Sequence, residues 1–320
     1  MLITGIGSLS GENPREAAEL VFDLFPQLPF IPELPSVGVG SDFIGRSASM
    51  LHDLHVDVQP SGWRIVDKAG ADERRAKSAM SHSVDAFHEV FDGFEGRIKI
   101  QVAGPLTFAS LLETSRAGSI LSDDIATKDV AQSLAYGVEM LVADMRRRLP
   151  GLTSVVVQID EPLIAQIMRG AIKSASGFGR IRIPSQDEVV SLIALFARNN
   201  ELIMHSCAND LPIELIGRSA INALSLDASF IGRNEYEPLA ELHDRGKAIW
   251  LGVVGGVDRQ LPPVSATVTF VQNLARNIGL PLESLALTHT CGLAGASPHY
   301  ARTSTAHLVN VSQELQERAQ

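Results

Sequence analysis

The residues of this chain best suited to chemistry are His205, Cys207 and Cys291, and the two cysteines are the only ones in 320 residues. An imidazole and a thiolate in the pattern His-x-Cys are donors that zinc accepts readily. A third protein ligand leaves one coordination position open for a substrate. At the end of a β-strand, residues i and i+2 point to the same face, so His205 and Cys207 can reach one ion. The alternative reading makes both cysteines small buried hydrophobes. A disulfide between them is not expected in a reducing compartment.

Carboxylates form the second group of candidates. Asp160 and Glu161 end the apolar run Val155-Val156-Val157-Gln158-Ile159. An acid at the end of such a run can bind an ammonium group or act as a base, and the competing reading is a salt-bridged pair at a rim. Asp160 is the stronger candidate, because Glu161 must face the other way. Asp227 ends another apolar run. It is either a fourth metal ligand that leaves when substrate arrives, or a helix cap at a strand–helix junction. Glu33 is a second acid available to an amine, or a rim charge. Ile6-Gly7-Ser8 offers backbone N–H groups and a hydroxyl that suit a carboxylate, and is otherwise an ordinary turn. His289, two residues before Cys291, is a rival ligand, a partner of one, or a packed histidine.

These residues need elements to position them. Strand-like apolar runs occupy 2–8, 30–34, 98–103, 154–160, 202–206, 223–227, 249–254 and 285–290. Helix-like segments lie between them, among them 14–25, 71–94, 128–149, 185–198 and 264–277. Strands alternating with helices predict a parallel α/β sheet, and eight is the number that closes a (β/α)8 TIM barrel. The segment Val56–Asp67, with a turn at Gln59-Pro60-Ser61-Gly62, reads as an inserted hairpin. A doubly wound dinucleotide fold is disfavoured, since Gly5-Ile6-Gly7 lacks the third glycine of the phosphate-binding turn. In a barrel the chemistry sits at the C-terminal ends of the strands. That is where Ser8, Asp160, His205, Cys207, Asp227 and Cys291 fall.

Composition narrows the class. A formal net charge of −10 without a basic cluster argues against nucleic-acid binding. The run Arg146-Arg147-Arg148 ends a helix-like segment, where cations suit the dipole. No apolar stretch is long enough for a membrane span, and the N-terminal residues lack the pattern of a secretory signal. The expectation is a cytoplasmic protein with no membrane partner.

In chain order, Ile6-Gly7-Ser8, Gly104-Pro105-Leu106-Thr107, Gln158-Ile159-Asp160-Glu161-Pro162, His205-Ser206-Cys207, Asp227 and Cys291-Gly292-Leu293 resemble the C-terminal catalytic barrel of cobalamin-independent methionine synthase. The resemblance spans nearly the whole chain and implies one catalytic barrel over residues 1–320. It implies methyl transfer to the thiol of homocysteine, with Zn²⁺ held by His205, Cys207 and Cys291. The family's fourth ligand is a glutamate, and Asp227 stands in its place. Ile6, Gly7, Ser8 and Asp160 are implied to bind homocysteine, with Glu33 near its amino group, and Asp160 is the catalytic candidate that would hold its ammonium. Two features depart from the family. The chain has no room for the second, N-terminal barrel that completes a folate pocket. Gly252-Val253-Val254-Gly255-Gly256 also stands where the family carries a histidine. The methyl donor is therefore open between a methylated folate and a methylated corrinoid brought by a corrinoid protein. A second reading is a zinc-dependent alkyltransferase acting on another thiol, such as coenzyme M. A third is a non-catalytic barrel that binds a corrinoid or a partner protein.

Overall fold

The alternation of apolar runs with amphipathic ones becomes strands and helices in the anticipated order. The computed structural model describes residues 1–114, 118–173 and 180–319. The strands are β1 (Leu2–Ile3), β2 (His55–Gln59), β3 (Gly62–Val66), β4 (Gly96–Ala103), β5 (Leu152–Asp160), β6 (Glu201–Ser206), β7 (Ala223–Asp227), β8 (Ala248–Val254) and β9 (Leu285–His289). The α-helices are α1 (Pro14–Leu24), α2 (Phe43–Ala48), α3 (Ala71–Val90), α4 (Pro105–Leu111), α5 (Asp124–Arg148), α6 (Ile164–Met168), α7 (Gln186–Ala194), α8 (Ile213–Arg218), α9 (Arg233–Asp244), α10 (Val264–Ile278) and α11 (Pro298–Ala319). Local signals set their ends. Asn13 accepts from the Arg15 amide at 3.0 Å ahead of Pro14, the first residue of α1. Asp123 caps α5 through the Ala126 amide at 2.9 Å, so that helix starts before the anticipated Lys128. Gly279 ends α10 in the left-handed region at φ 86°.

Seven strands form one parallel sheet in the order β1-β9-β8-β7-β6-β5-β4. Each step but one runs to the next strand in sequence, as right-handed strand–helix–strand units require. The exception is β1 beside β9, the step that curls the sheet into a ring. The remaining gap, between β4 and the chain beyond β1, is spanned by residues 29–33. There Lys99 N donates to the Pro29 carbonyl at 2.7 Å and Ile31 N to the Lys99 carbonyl at 3.3 Å. On the other side Glu33 N donates to Gly7 O at 3.1 Å and Leu9 N to Glu33 O at 2.9 Å. The expected second strand thus fills its place in the (β/α)8 TIM-barrel ring, but as isolated bridges rather than a regular ladder. Its composition gives the reason: Pro29, Pro32 and Pro35 interrupt it, and proline has no N–H to donate.

The hairpin is present as β2 and β3, antiparallel from His55↔Val66 to Gln59↔Gly62. Glu73 of α3 accepts from His55 Nδ1 at 3.1 Å and from the Val56 amide at 3.4 Å. Trp63 donates to Asp42, the cap of α2, at 3.1 Å. The hairpin is therefore fastened over α2 and α3, beside the barrel mouth.

The core has two parts. A large one fills the space between sheet and helices. A smaller one, Leu28, Val156, Ile203, Ala223, Trp250 and Ala286, fills the lower barrel interior. Strand alternation carries the same inward face upward from that floor. Val156 is followed by Gln158 and Asp160, Ile203 by His205, Ala223 by Ser225, and Ala286 by Thr288, all buried. The barrel is thus apolar at its base and polar towards its C-terminal mouth. Among the described residues, no helix is long and apolar enough to cross a membrane.

Candidate metal and substrate site

The three thiol and imidazole candidates converge. One ligand atom from each of His205, Cys207 and Cys291 lies within 4.8 Å of the others. The two sulfurs are 3.4 Å apart. His205 sits on β6, its Nδ1 3.0 Å from Ser225 Oγ on the neighbouring β7. Its Nε2 is buried without a hydrogen-bond partner, which leaves that nitrogen's lone pair for an ion. Cys291 follows β9 in a loop joined to the first segment by Leu293 N donating to Ser8 O at 2.7 Å. The Cys207 hydrogen bond and the nearby His205 bring the Cys291 thiol down to about 4, against the effect of burial. The same hydrogen bond and burial push Cys207 up. The two thiols therefore titrate as a pair, and the hydrogen bond between them favours one thiolate and one thiol. Two sulfurs and an imidazole nitrogen are a donor set that fits zinc and leaves its fourth position free.

These ligands line a cavity of about 240 Å³ together with Ile6, Gly7, Ser8, Glu33 and Asp160. Pro35, Phe43 and Pro162 supply apolar wall. The two acids are both buried. Asp160 accepts from Gln158 Nε2 at 2.7 Å. Burial raises its pKa well above the usual carboxylate range, and the nearby Glu33 raises it further, while Lys99 pulls the other way. Burial likewise raises Glu33, against the charges of Arg46 and Lys99. Two acids that repel each other in a closed site favour a cation placed between them. Beneath them Lys99 donates to the Ile6 carbonyl at 2.7 Å, and Gln158 donates to the same oxygen at 2.9 Å. Burial lowers Lys99 to about 7, although Asp160 and Glu33 favour its charge. Gly7 rests on Gln101, whose side chain a Cβ at that position would meet at 2.7 Å. The Ile6-Gly7-Ser8 turn is thus shaped from below by polar side chains of β4 and β5.

Three candidates lie elsewhere. Asp227 is outside the group of grouped ligand atoms. Its Oδ1 accepts from the Ser229 amide at 2.8 Å and the Ser229 hydroxyl at 2.7 Å, so it caps the turn that follows β7. Glu161 faces away from the cavity, as strand parity demands. It accepts from the amides of Leu106 and Thr107, at 2.8 and 2.9 Å, and from the Thr107 hydroxyl at 2.6 Å. That carboxylate ties β5 to the first turn of α4. Burial pushes it up to about 7 against those hydrogen bonds. His289 is packed between β9 and α11, 3.0 Å from Ser304 Oγ, and burial lowers it to about 3. Lys99, Gln101, Arg46 and Phe43 were not singled out by sequence. The one available signal was the polar alternation Lys99, Gln101 within Ile98-Lys99-Ile100-Gln101-Val102.

Comparison with known proteins agrees with the fold. A B12-independent methionine synthase from Shewanella sp. W3-18-1, solved with selenomethionine, superposes with a TM-score of 0.51 at 15% identity. The match covers 69% of this chain and 63% of that one, so this chain spans less than two thirds of that protein's length. A methyltransferase from Methanosarcina mazei matches with a TM-score of 0.58 at 17% identity, over 95% of this chain and 86% of its own. A candidate vitamin-B12-independent methionine synthase from Listeria monocytogenes matches with a TM-score of 0.54 at 14% identity, over 98% and 96%. At such identities these likenesses speak for the fold alone. A search of curated protein sequences finds no match. The sequence itself matches the family described as cobalamin-independent synthase, catalytic domain, over residues 46–314. The chain belongs to that family of methyltransferases.

Proposed function

We propose that this protein transfers a methyl group to the thiol of homocysteine, with a zinc ion held by His205, Cys207 and Cys291. The observation that carries the reading is the meeting of these three ligand atoms in a cavity that Asp160 and Glu33 also line. Zinc, when bound, stabilises a substrate sulfur as thiolate near neutral pH. The chain's own residues do the rest. Ser225 holds the His205 ring so that Nε2 points to the ion. Asp160 and Glu33 receive the substrate ammonium. The Ile6-Gly7-Ser8 turn, held by Lys99 and Gln158, receives its carboxylate. A thiol fixed at three points presents one lone pair to the incoming methyl group, and such positioning supplies much of the rate.

The acid pair also bears on the substrate. Two buried carboxylates suit an amino acid thiol and oppose a sulfonate such as coenzyme M, whose anion they would repel. The test is to supply zinc-loaded protein with homocysteine and either methyl-tetrahydrofolate or methylcobalamin, and to measure methionine. Methionine from one donor identifies it. No methionine from either sinks the proposal. Full-length folded protein that binds no zinc would instead favour a non-catalytic barrel.

A further inference from the structure

Residues 33–46 form a partition. Glu33, Pro35 and Phe43 face the catalytic cavity, while Leu34, Gly40 and Arg46 line a second cavity of about 360 Å³ on its other side. The far wall of that second cavity is one face of α3, carrying Arg75, Ser78 and His82. The partition is pressed onto α3 at Gly40, where φ is 94° and an added Cβ would lie 2.6 Å from the Ala76 Cα.

Arg46 is the unusual feature. It is 5% exposed, and its Nε and Nη2 have no hydrogen-bond partner among the described residues. Its one ion-pair contact among them is Glu33, at 3.5 Å. A guanidinium offers five N–H donors, and donors left unmade in a buried site are costly. Its planar fork matches the two oxygens of a carboxylate or a phosphate. Arg75 lines the same cavity, bonded to Asp72 through Nη1 at 2.9 Å. Glu12 is the one acid among the lining residues, and the arginines' partners, Asp72 and Glu33, are not among them.

We infer that this cavity binds a small anion, carboxylate or phosphate, through Arg46 and Arg75, and that the anion is coupled to the catalytic cavity through the Glu33–Arg46 pair. The coupling rests on the proposed function, which gives Glu33 to the substrate ammonium. A bound ammonium draws on the charge of Glu33 and leaves Arg46 in need of another counter-ion. A bound anion satisfies Arg46 and releases Glu33. By linkage each ligand strengthens the other by the same factor.

The test uses the full chain at fixed ionic strength, set with sodium chloride. Inorganic phosphate and, separately, glutarate are titrated by calorimetry against wild type, Arg46→Lys and Arg75→Gln. Saturable binding of either probe, weakened about tenfold or more in both variants, is expected from the loss of a bidentate or charged partner. The probe that binds tells a phosphate ligand from a carboxylate one. Arg75 is an exposed residue, so Arg75→Gln folds even if Arg46→Lys does not. Absence of saturable binding by both probes, or binding that Arg75→Gln leaves unchanged, overturns the site. L-norleucine, an amino acid without a thiol, is then titrated with and without the anion that binds. An affinity raised about 5-fold or more supports the coupling, and an unchanged affinity overturns it. Norleucine binding that ignores Glu33→Gln refutes the ammonium assignment while leaving the anion site standing.

Discussion

Ser225→Ala is the substitution that interrogates the proposed zinc site most directly. Ser225 is fully buried on β7, with its Oγ 3.0 Å from Nδ1 of His205. When Nε2 holds the metal, the imidazole proton must sit on Nδ1, and the serine oxygen accepts it. Alanine leaves that N–H buried with nothing to receive it. The penalty for such an orphan is about 1–3 kcal/mol.

The penalty falls unequally on the two states. Without metal the ring is free to change tautomer or to turn, and can relieve the orphan donor. With metal bound it can do neither. The cost therefore shows as lost zinc affinity rather than lost stability of the metal-free fold. Removing such a partner behind a metal-bound histidine typically costs 10- to 100-fold in affinity, or about 1.4–2.8 kcal/mol. Competition against a chromophoric chelator measures the affinity, and thermal unfolding of the metal-free protein checks the fold. Ser225→Thr keeps the hydroxyl and is expected to recover most of the loss. A variant whose zinc affinity stays within twofold of wild type would refute the reasoning. So would one whose metal-free form loses as much stability as the metal site loses affinity.

Three further outcomes are expected. Cys207→Ser and Cys291→Ser each lose stoichiometric zinc, whereas Asp227→Asn retains it, because Asp227 is engaged in capping; metal analysis after gel filtration decides. Gly292→Ala places a Cβ 1.9 Å from Ser8 Oγ and must turn that hydroxyl away, so, with Ser8 in its proposed role at the substrate carboxylate, kcat/KM for homocysteine falls by about 10-fold or more. Burial raises the pKa of Glu73, but hydrogen bonds from Lys77 and His55, with the Lys77 charge and the Val56 amide, more than offset it and leave the group below its ordinary 4.5. A depressed carboxylate contributes stability above its unfolded pKa and loses it as pH falls, so Glu73→Gln costs about 1–3 kcal/mol at pH 7 in urea unfolding, and the gap from wild type narrows below about 4.5.

Much of this site was legible because strand parity is a simple rule. His205 and Cys207 share a face through the period of two, and Asp160 and Glu161 are separated by it. The structure keeps both assignments, one acid lining the cavity and the other tied to α4. The hairpin was legible from a turn between two β-rich runs, and α1 from a proline behind its cap. Cys291 is different in kind. It stands two residues beyond His289, which points out of the barrel towards α11. Simple alternation would send Cys291 outward as well. The register shift between Gly252 and Val254 on the neighbouring strand, followed by Thr290 N donating to Val254 O at 2.8 Å, breaks that alternation and returns the chain to the mouth. Strand-end position, and not periodicity, placed Cys291 at the mouth with the other ligands, and the resemblance to a family gave it the role of a zinc ligand.

The polar floor was hidden for a deeper reason. Ile98-Lys99-Ile100-Gln101-Val102 reads locally as a strand with one face in water, the ordinary meaning of polar alternation in a sheet. Ring closure by residues 29–33 reverses that meaning. The polar face turns inward, and Lys99 and Gln101 reach the Ile6 and Ile31 carbonyls at 2.7 and 2.6 Å. Those carbonyls belong to segments that proline and irregular pairing leave short of ladder partners. The buried lysine and glutamine supply donors that a regular strand would have drawn from its neighbour's backbone. Once committed there, Lys99 lies beneath Asp160 and Glu33, which favour its charge against burial, and Arg46 pairs with Glu33 from behind. The charges near the catalytic cavity are therefore set partly by how the barrel closes. A change in the closing segment acts on the proposed substrate site through Glu33, which belongs to that segment and lines the cavity.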